Sequence, residues 1–296
     1  MSFTHDKLAD NIYWIREEDG RECYPLMYLI LGAGDTALLI DTGCGCGNIY
    51  HYLRSLSFMQ NVKLIVVNTH NHPEQTGGNW RFSTTGSNGL AHLVEDLCAG
   101  RKNKYYTRLM DSSWHWEIQT YKVTRWLNDG DKILLGDESN LRNIVQVSGS
   151  GEEGKVMWTP GHTPDSIVLW YPYANRLFVG DLFYRFDDIM FTYQYTDIRQ
   201  YENSVRNVLK FVKSQEVTVK YSSAKNDTDN QCLPTFKLYH RFLLAVIAGT
   251  HAGTHLRIDE AEGVRYETRD KSMKIVIGRK IVQKLNEARE KANQGQ

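Results

Sequence analysis

The stretch LIVVNTHNHPEQTGGNW, residues 64–80, decides how the rest of the chain is read. Leu64, Ile65, Val66 and Val67 form a short apolar run, largely β-branched, suited to a strand buried on both faces. The run breaks at Asn68-Thr69, and His70 and His72 follow on alternate residues. In extended backbone, residues two apart point the same way, so both imidazoles leave one face at the mouth of the strand. His-x-His in that setting suits a first-row metal, which takes nitrogen donors at ~2.0–2.1 Å with tetrahedral angles. Gly77-Gly78 lets the backbone turn tightly into a new element. Such a pair also arises by chance, so the reading depends on what the rest of the chain supplies.

The chain has 296 residues, enough to bury a substantial core, and carries 35 basic against 35 acidic side chains. A net charge of zero gives no electrostatic case for a nucleic-acid or anionic-membrane partner. No apolar run is long enough to span a bilayer, and the opening MSFTHDKLADNIYW lacks the apolar centre of a secretory signal. Five cysteines (Cys23, Cys44, Cys46, Cys98 and Cys232) are an odd, scattered set, which fits a reducing, cytoplasmic compartment. Cys44-Gly-Cys46 is the one close pair, read either as soft ligands or as buried free thiols.

Residues 11–16 and 26–32 are expected to be strands joined by the charged hairpin EEDGREC. A third strand, 36–41, ends in Asp41-Thr42-Gly43, where Asp41 caps backbone N–H groups, stands behind a site, or does both. Helical spacing is expected over 48–57, 90–104, 197–214, 234–247 and 280–292. Further strands are expected at 129–135, 143–147, 166–171, 176–179 and 216–221, with a late hairpin over 263–278. Residues 149–154 read as a flexible turn. The aromatic-rich segment with Tyr105, Tyr106, Trp114, Trp116, Tyr121 and Trp126 reads as a small core or a pocket wall. In VMWTPGHTPDS, residues 156–166, Pro160-Gly161 forces a tight turn with His162 at its exit. The strand 176–179 ends in Gly180-Asp181. Ligands and catalytic groups collect at such strand ends because strands hold them rigid while loops leave them open. Without repeats or linkers, a single domain is expected over 1–296, its core about 8–245, followed by a hairpin and helix over 249–292.

Four motifs in this order resemble the metallo-β-lactamase superfamily: Ile40-Asp41-Thr42-Gly43, Thr69-His70-Asn71-His72 followed by Thr76-Gly77-Gly78, Thr159-Pro160-Gly161-His162-Thr163, and Val179-Gly180-Asp181. Within it, the opening LADNIYWIRE and the overall length are most similar to an animal and fungal branch with acyl-CoA thioesterase-like members. The resemblance implies an α+β fold, a four-layer αββα sandwich with one or two metals at a sheet edge. Carried over position by position, His70, His72 and His162 match the first metal site, and Asp181 the carboxylate that bridges to a second. Three imidazoles with an open position form the donor set of a catalytic zinc site.

The departures bear on mechanism. Where the family has His-x-His-x-Asp-His, this chain has Glu74 in place of the Asp and Gln75 in place of the second-site His. The family's last His falls in KYSSAKND, at Ser222, Ser223 or Ala224. One zinc ion is therefore expected, with the second site empty or weak, since Gln75 is a poor substitute for imidazole. Candidates to fill the gap are His251, His255 and Asp227 as ligands and Lys225 as a cation. Glu74 either reaches the site as a general base or is an acid of the groove with no task.

The expected function is hydrolysis of an ester, thioester, lactone or lactam, with a small-molecule acyl substrate and Glu74 or Asp181 handling protons. Residues 105–126 and 249–278 would wall the groove. Two alternatives share the fold: a pseudoenzyme that binds a small molecule or partner, and a Lewis-acid lyase or isomerase. The intact histidine trio favours a metal-dependent enzyme.

Overall fold

The structure, a computed structural model, describes residues 2–83, 89–102, 118–147, 158–258 and 261–294. The first sheet is built from β1 (Ser2–Ala9), β2 (Ile12–Glu18), β3 (Leu26–Leu31) and β4 (Thr36–Ile40). Helix α1 (Ile49–Ser55) then crosses to β5 (Lys63–Asn68), and a single helical turn, α2 (Pro73–Thr76), follows the histidines. β6 (Val94–Gly100) and β7 (Arg125–Leu127) complete seven strands in sequential order. β1 to β4 pair antiparallel, whereas β4, β5, β6 and β7 run parallel.

The second sheet takes β8 (Lys132–Leu134), β9 (Ile144–Val147), β10 (Leu169–Tyr171) and β11 (Arg176–Phe178). After β12 (Asp188–Phe191) and α3 (Ile198–Ser214), it gains β13 (Lys220–Ser222) and β14 (Asn230–Gln231). Its order is β14-β13-β11-β10-β9-β8. Helix α4 (Cys232–Ala248), β15 (Thr254–Ile258), β16 (Ala261–Glu267), β17 (Lys274–Gly278) and α5 (Arg279–Gln294) end the chain. β12 pairs with β17, so a third sheet runs β12-β17-β16-β15.

Three apolar cores make the layers. Between the two large sheets, Tyr28, Ile30, Leu38, Ile40, Ile65 and Val67 meet Val145, Val147, Leu169, Tyr171 and Phe178. On the outer face of the first sheet, Met27, Leu29, Leu39, Leu64 and Val66 pack on Ile49 and Leu53 of α1. On the outer face of the second, Val168, Trp170, Leu177 and Tyr221 pack on Tyr201, Val205 and Val208 of α3 and on Phe236, Tyr239 and Leu243 of α4. Alternating side chains of each strand thus serve two different cores, which is the αββα sandwich the motifs implied.

One expected element is of another type. The helix expected over 90–104 is a strand where it is described, over 94–100: β6 pairs parallel with β5 in the register Val66↔Leu97 and Val67↔Cys98. Leu90, Val94, Leu97 and Cys98 have helical spacing, but a central strand buries both faces and leaves no period to separate the two readings. β1 escaped notice because its side chains are mostly exposed and polar, as befits an edge strand. β12 was not anticipated either. Tyr105, Tyr106, Trp114, Trp116 and the turn at 149–154 lie outside the described residues, while Tyr121 packs against the α1-side core.

Candidate metal centre

The parallel strands β4 and β5 end side by side, and their loops are locked together. Asp41, with a left-handed φ of 62°, accepts hydrogen bonds from the Thr69 amide at 2.8 Å and the Thr69 hydroxyl at 2.9 Å. Thr69 Oγ1 also faces His70 Nδ1 at 3.0 Å. Since that hydroxyl proton goes to Asp41, the oxygen accepts from His70 Nδ1–H, which leaves Nε2 with its lone pair directed into the site. A carboxylate acting through a neighbour on a ligand imidazole is the usual way a protein fixes tautomer and ring angle. Replacing Thr69 with Val removes both bonds at constant shape. Metal affinity, measured by chelator competition, is expected to fall ~10–100-fold; unchanged affinity would show that the relay is idle.

Buried amides fold α2 back over the strand ends. Asn68 and Asn79 exchange hydrogen bonds, and the Gln75 carbonyl accepts from Asn68 Nδ2 at 2.8 Å and the Thr42 amide at 2.9 Å. His72 is therefore the extended residue that opens the turn, with Pro73 as its first helical residue. His162 comes from the other sheet. Its Pro160-Gly161 turn is held by Ser204 Oγ on the Pro160 carbonyl and by the Asp197 amide on the Gly161 carbonyl, both at 2.8 Å. Asp181 follows β11, and Gly180 is needed there: φ is +53°, and a Cβ would stand 2.8 Å from Thr69 Oγ1.

These elements bring His70, His72, His162 and Asp181 together, with one donor atom of each within 4.8 Å of all the others. His162 Nε2 lies 3.1 Å from His72 Nδ1 and 3.4 Å from Asp181 Oδ2, and His70 Nε2 lies 3.7 Å from that same oxygen. His70 Nε2 and Asp181 Oδ1 are buried without a hydrogen-bond partner. Orphaned buried donors and acceptors are costly unless a ligand completes them. Burial takes the His70 imidazole down to about 3 against the pull of Asp181, and holds His72 well below its usual value with help from His162 and His70. Both rings are thus neutral, the form that binds metal. Burial alone would raise Asp181, but His70, His162 and Lys225 bring it down to about 2, so it is ionised. Three imidazoles and one carboxylate converging on one point fit a divalent cation.

The surroundings differ from a two-metal groove. Glu74 lies close enough to Asp181, Lys225 and His162 to feel their charge; burial first and Asp181 second push its carboxyl up. Gln75 is buried, with Oε1 unpartnered. The loop after β13 places no imidazole here: Ser223 Oγ turns to the Lys225 carbonyl, and the Ala224 amide bonds to the Gly180 carbonyl at 3.1 Å. That second bond brings Lys225 alongside. Its Nζ is 3.3 Å from Asp187 Oδ2, and although burial works against the charge, Asp187, Asp181 and Glu74 raise its pKa. An ammonium ion paired with Asp187 is therefore within electrostatic reach of Asp181 and Glu74.

The other candidates lie elsewhere. Asp227 accepts from Arg185 N, Arg185 Nε, Tyr221 Oη and Asn230 Nδ2, and is consumed as a structural hub. His251 faces the Glu267 carbonyl at 2.8 Å, and His255 is exposed on β15. An unanticipated segment, the end of β12 and the residues after it, reaches the site: the Tyr193 ring lies 4.2 Å from that of His72, and Phe191 lies 6.0 Å from His162. Nothing local in FTYQYTD marks Tyr193, because its position follows from the pairing of β12 with the distant β17.

With the site's geometry in place, comparison with known proteins is direct. A sequence profile of the metallo-beta-lactamase superfamily matches residues 20–222. The chain belongs to this superfamily, and with it to the metal-dependent hydrolases. It is 29% identical over 205 residues to the acyl-coenzyme A thioesterase MBLAC2 of Homo sapiens, covering 62% of this chain and 67% of that protein. Two solved structures share the fold. A beta-lactamase domain protein from Burkholderia ambifaria superposes with a TM-score of 0.59 at 14% identity, covering 85% of this chain and 77% of the other. A metallo-beta-lactamase from Pontibacter korlensis gives 0.54 at 15% identity, covering 80% and 97%.

Proposed function

We propose that the protein is a thioesterase acting on acyl-coenzyme A, with a single zinc-class ion held by His70, His72, His162 and Asp181. The observation that carries this reading is the pairing of an intact three-imidazole cluster with Lys225, instead of a histidine, beside Asp181 and Glu74. The thioester substrate is brought over from the MBLAC2 relatives. When bound, the ion supplies Lewis acidity, polarising the acyl carbonyl and acidifying a water.

The chain's own residues do the rest. Glu74, one methylene longer than the usual acid, takes the proton from the attacking water and returns it to the departing sulfur as the C–S bond breaks. Lys225 offsets part of the charge of Asp181 and Glu74 and so lessens the repulsion that the oxyanion and the thiolate would meet. A fixed ammonium also disfavours a second dication in the same place. Tyr193 and His72 form the aromatic wall on the acyl side.

The test is release of free coenzyme A thiol from acyl-coenzyme A of several chain lengths by the metal-loaded protein. Lys225→Met is expected to lower kcat/KM ~10²–10³-fold, the effect of removing one preorganised electrostatic donor, while metal content stays the same. Failure of the loaded protein to release thiol from any of these substrates would end the thioesterase reading. Full activity in the Lys225 variant would end the role given to the ammonium.

A further inference from the structure

A second cluster of metal-binding groups lies outside the histidine centre. Asp19, Cys23 and Cys44 bring a carboxylate oxygen and two sulfurs within 4.8 Å of one another. Asp19 and Cys44 are buried, while Cys23 is partly exposed.

The hairpin between β2 and β3 is built to hold this arrangement. The Asp19 carboxylate accepts from the amides of Arg21 at 2.7 Å, Cys23 at 3.3 Å and Tyr24 at 2.6 Å, wrapping residues 19–24 around itself. Both neighbours of Cys23 are non-glycine residues in left-handed backbone, Glu22 at φ 60° and Tyr24 at φ 46°. Such conformations persist only where the surroundings enforce them. They turn Cys23 inward, over Cys44, while its Sγ contacts the Arg21 carbonyl at 3.7 Å. Opposite, the fully buried Glu17 carboxylate accepts from the Cys44 and Gly47 amides, each at 2.6 Å, and fixes the second thiol.

The groups facing the cluster are mostly acidic. Cys46, two residues on, lies within the influence of Asp19, Glu17 and Arg21. The bond with Cys23 first, then burial and the two carboxylates, push the Cys44 thiol up, so without a cation it stays protonated. A protonated thiol among carboxylates is a poor nucleophile and a poor target for peroxide. The same negative field favours a thiophilic dication, whose charge draws off the sulfur protons.

We propose that Asp19, Cys23 and Cys44 form a second metal site, selective for soft divalent cations of the zinc and cadmium class and separate from the histidine centre. Binding exchanges two S–H bonds for two sulfur–metal bonds and releases two protons per ion, with no electron transfer. Asp19 Oδ2, which accepts only from the Tyr24 amide, keeps a lone pair for the ion. The site clamps the β2–β3 hairpin to the 41–47 loop, which itself abuts the histidine turn: a Cβ on Gly77 would stand 2.2 Å from the Cys44 carbonyl.

The probe is cadmium chloride, added to reduced full-length protein. The expected result is a thiolate-to-cadmium charge-transfer band in the ultraviolet that saturates by two equivalents, the histidine centre competing for one, with two protons released per ion bound at the thiols. The histidine centre holds no sulfur, so the band reports the cysteine site alone. It should survive in His72→Ala/His162→Ala protein and be lost in both Cys23→Ser and Cys44→Ser, whose circular dichroism and unfolding midpoints check that they fold. No band in the wild type, or an undiminished band in both serine variants, would overturn the site. So would isolation of a Cys23–Cys44 disulfide peptide from protein that does not take up cadmium after reduction, which would make the pair a redox couple.

Discussion

His162→Ala protein is expected to lose the metal of the histidine centre and, with it, thioester hydrolysis by ~10³-fold or more. The magnitude follows from removing several kcal/mol of Lewis-acid stabilisation at about 1.4 kcal/mol per decade of rate. In the proposed centre, His162 is the donor that crosses between the sheets. It is the one imidazole from the second sheet, and its Nε2 sits between His72 Nδ1 at 3.1 Å and Asp181 Oδ2 at 3.4 Å. Without it, His70, His72 and Asp181 remain, one donor fewer than the four that converge in the intact centre, and the nitrogen that stands between His72 and Asp181 is gone. The Pro160-Gly161 turn that carries it is held by the Ser204 hydroxyl of α3 and by the amide of Asp197 at that helix's start, bonds the substitution leaves in place. The denaturation midpoint of the metal-free protein should therefore stay close to that of metal-free wild type. Retention of both metal and activity in the variant would remove His162 from the centre.

Asp227→Ala is expected to cost about 3 kcal/mol of stability, the lower end of the range for leaving a buried charge unpaired, because Arg185 is one-third exposed and regains water. The Asp227 carboxylate joins Arg185, Tyr221 and Asn230, and its carbonyl accepts from the Ser223 amide at 2.7 Å. It therefore holds together the loop that delivers Lys225 to Asp181. Two readings should move: the urea midpoint falls with an unchanged slope, and kcat/KM falls towards that of Lys225→Met. A midpoint shift within the ±0.5 kcal/mol of an ordinary surface change would mean that the loop is held by other contacts.

The legibility of the site follows its physical origin. His70, His72, His162 and Asp181 were readable because each stands at a strand end in a short motif whose turn chemistry is local: His-x-His, Pro-Gly-His, Gly-Asp. Asp41 was readable for the same reason, though only the structure shows that it acts through the Thr69 hydroxyl. Lys225 was visible as a charge near a missing ligand; its approach to Asp181 depends on the Ala224–Gly180 backbone bond, which no local pattern encodes. Tyr193 was invisible because the strand before it is specified by β17, more than eighty residues away in sequence. The misreading of β6 has the same root, since a strand buried by neighbours on both sides carries no surface period. Cys44 and Cys46 stood out as a pair, yet the thiol facing Cys44 comes from the hairpin that reads locally as no more than a charged turn.

The central claim is one metal ion with an ammonium in place of a second. Anomalous diffraction at the zinc absorption edge from crystals of the zinc-loaded protein tests it most directly, because it counts and places ions independently of any bound at Asp19, Cys23 and Cys44. A single peak is expected among His70, His72, His162 and Asp181, with Lys225 Nζ occupying the adjoining place beside Glu74. Two peaks bridged by Asp181, with Lys225 displaced, or no peak among the three histidines, would contradict it.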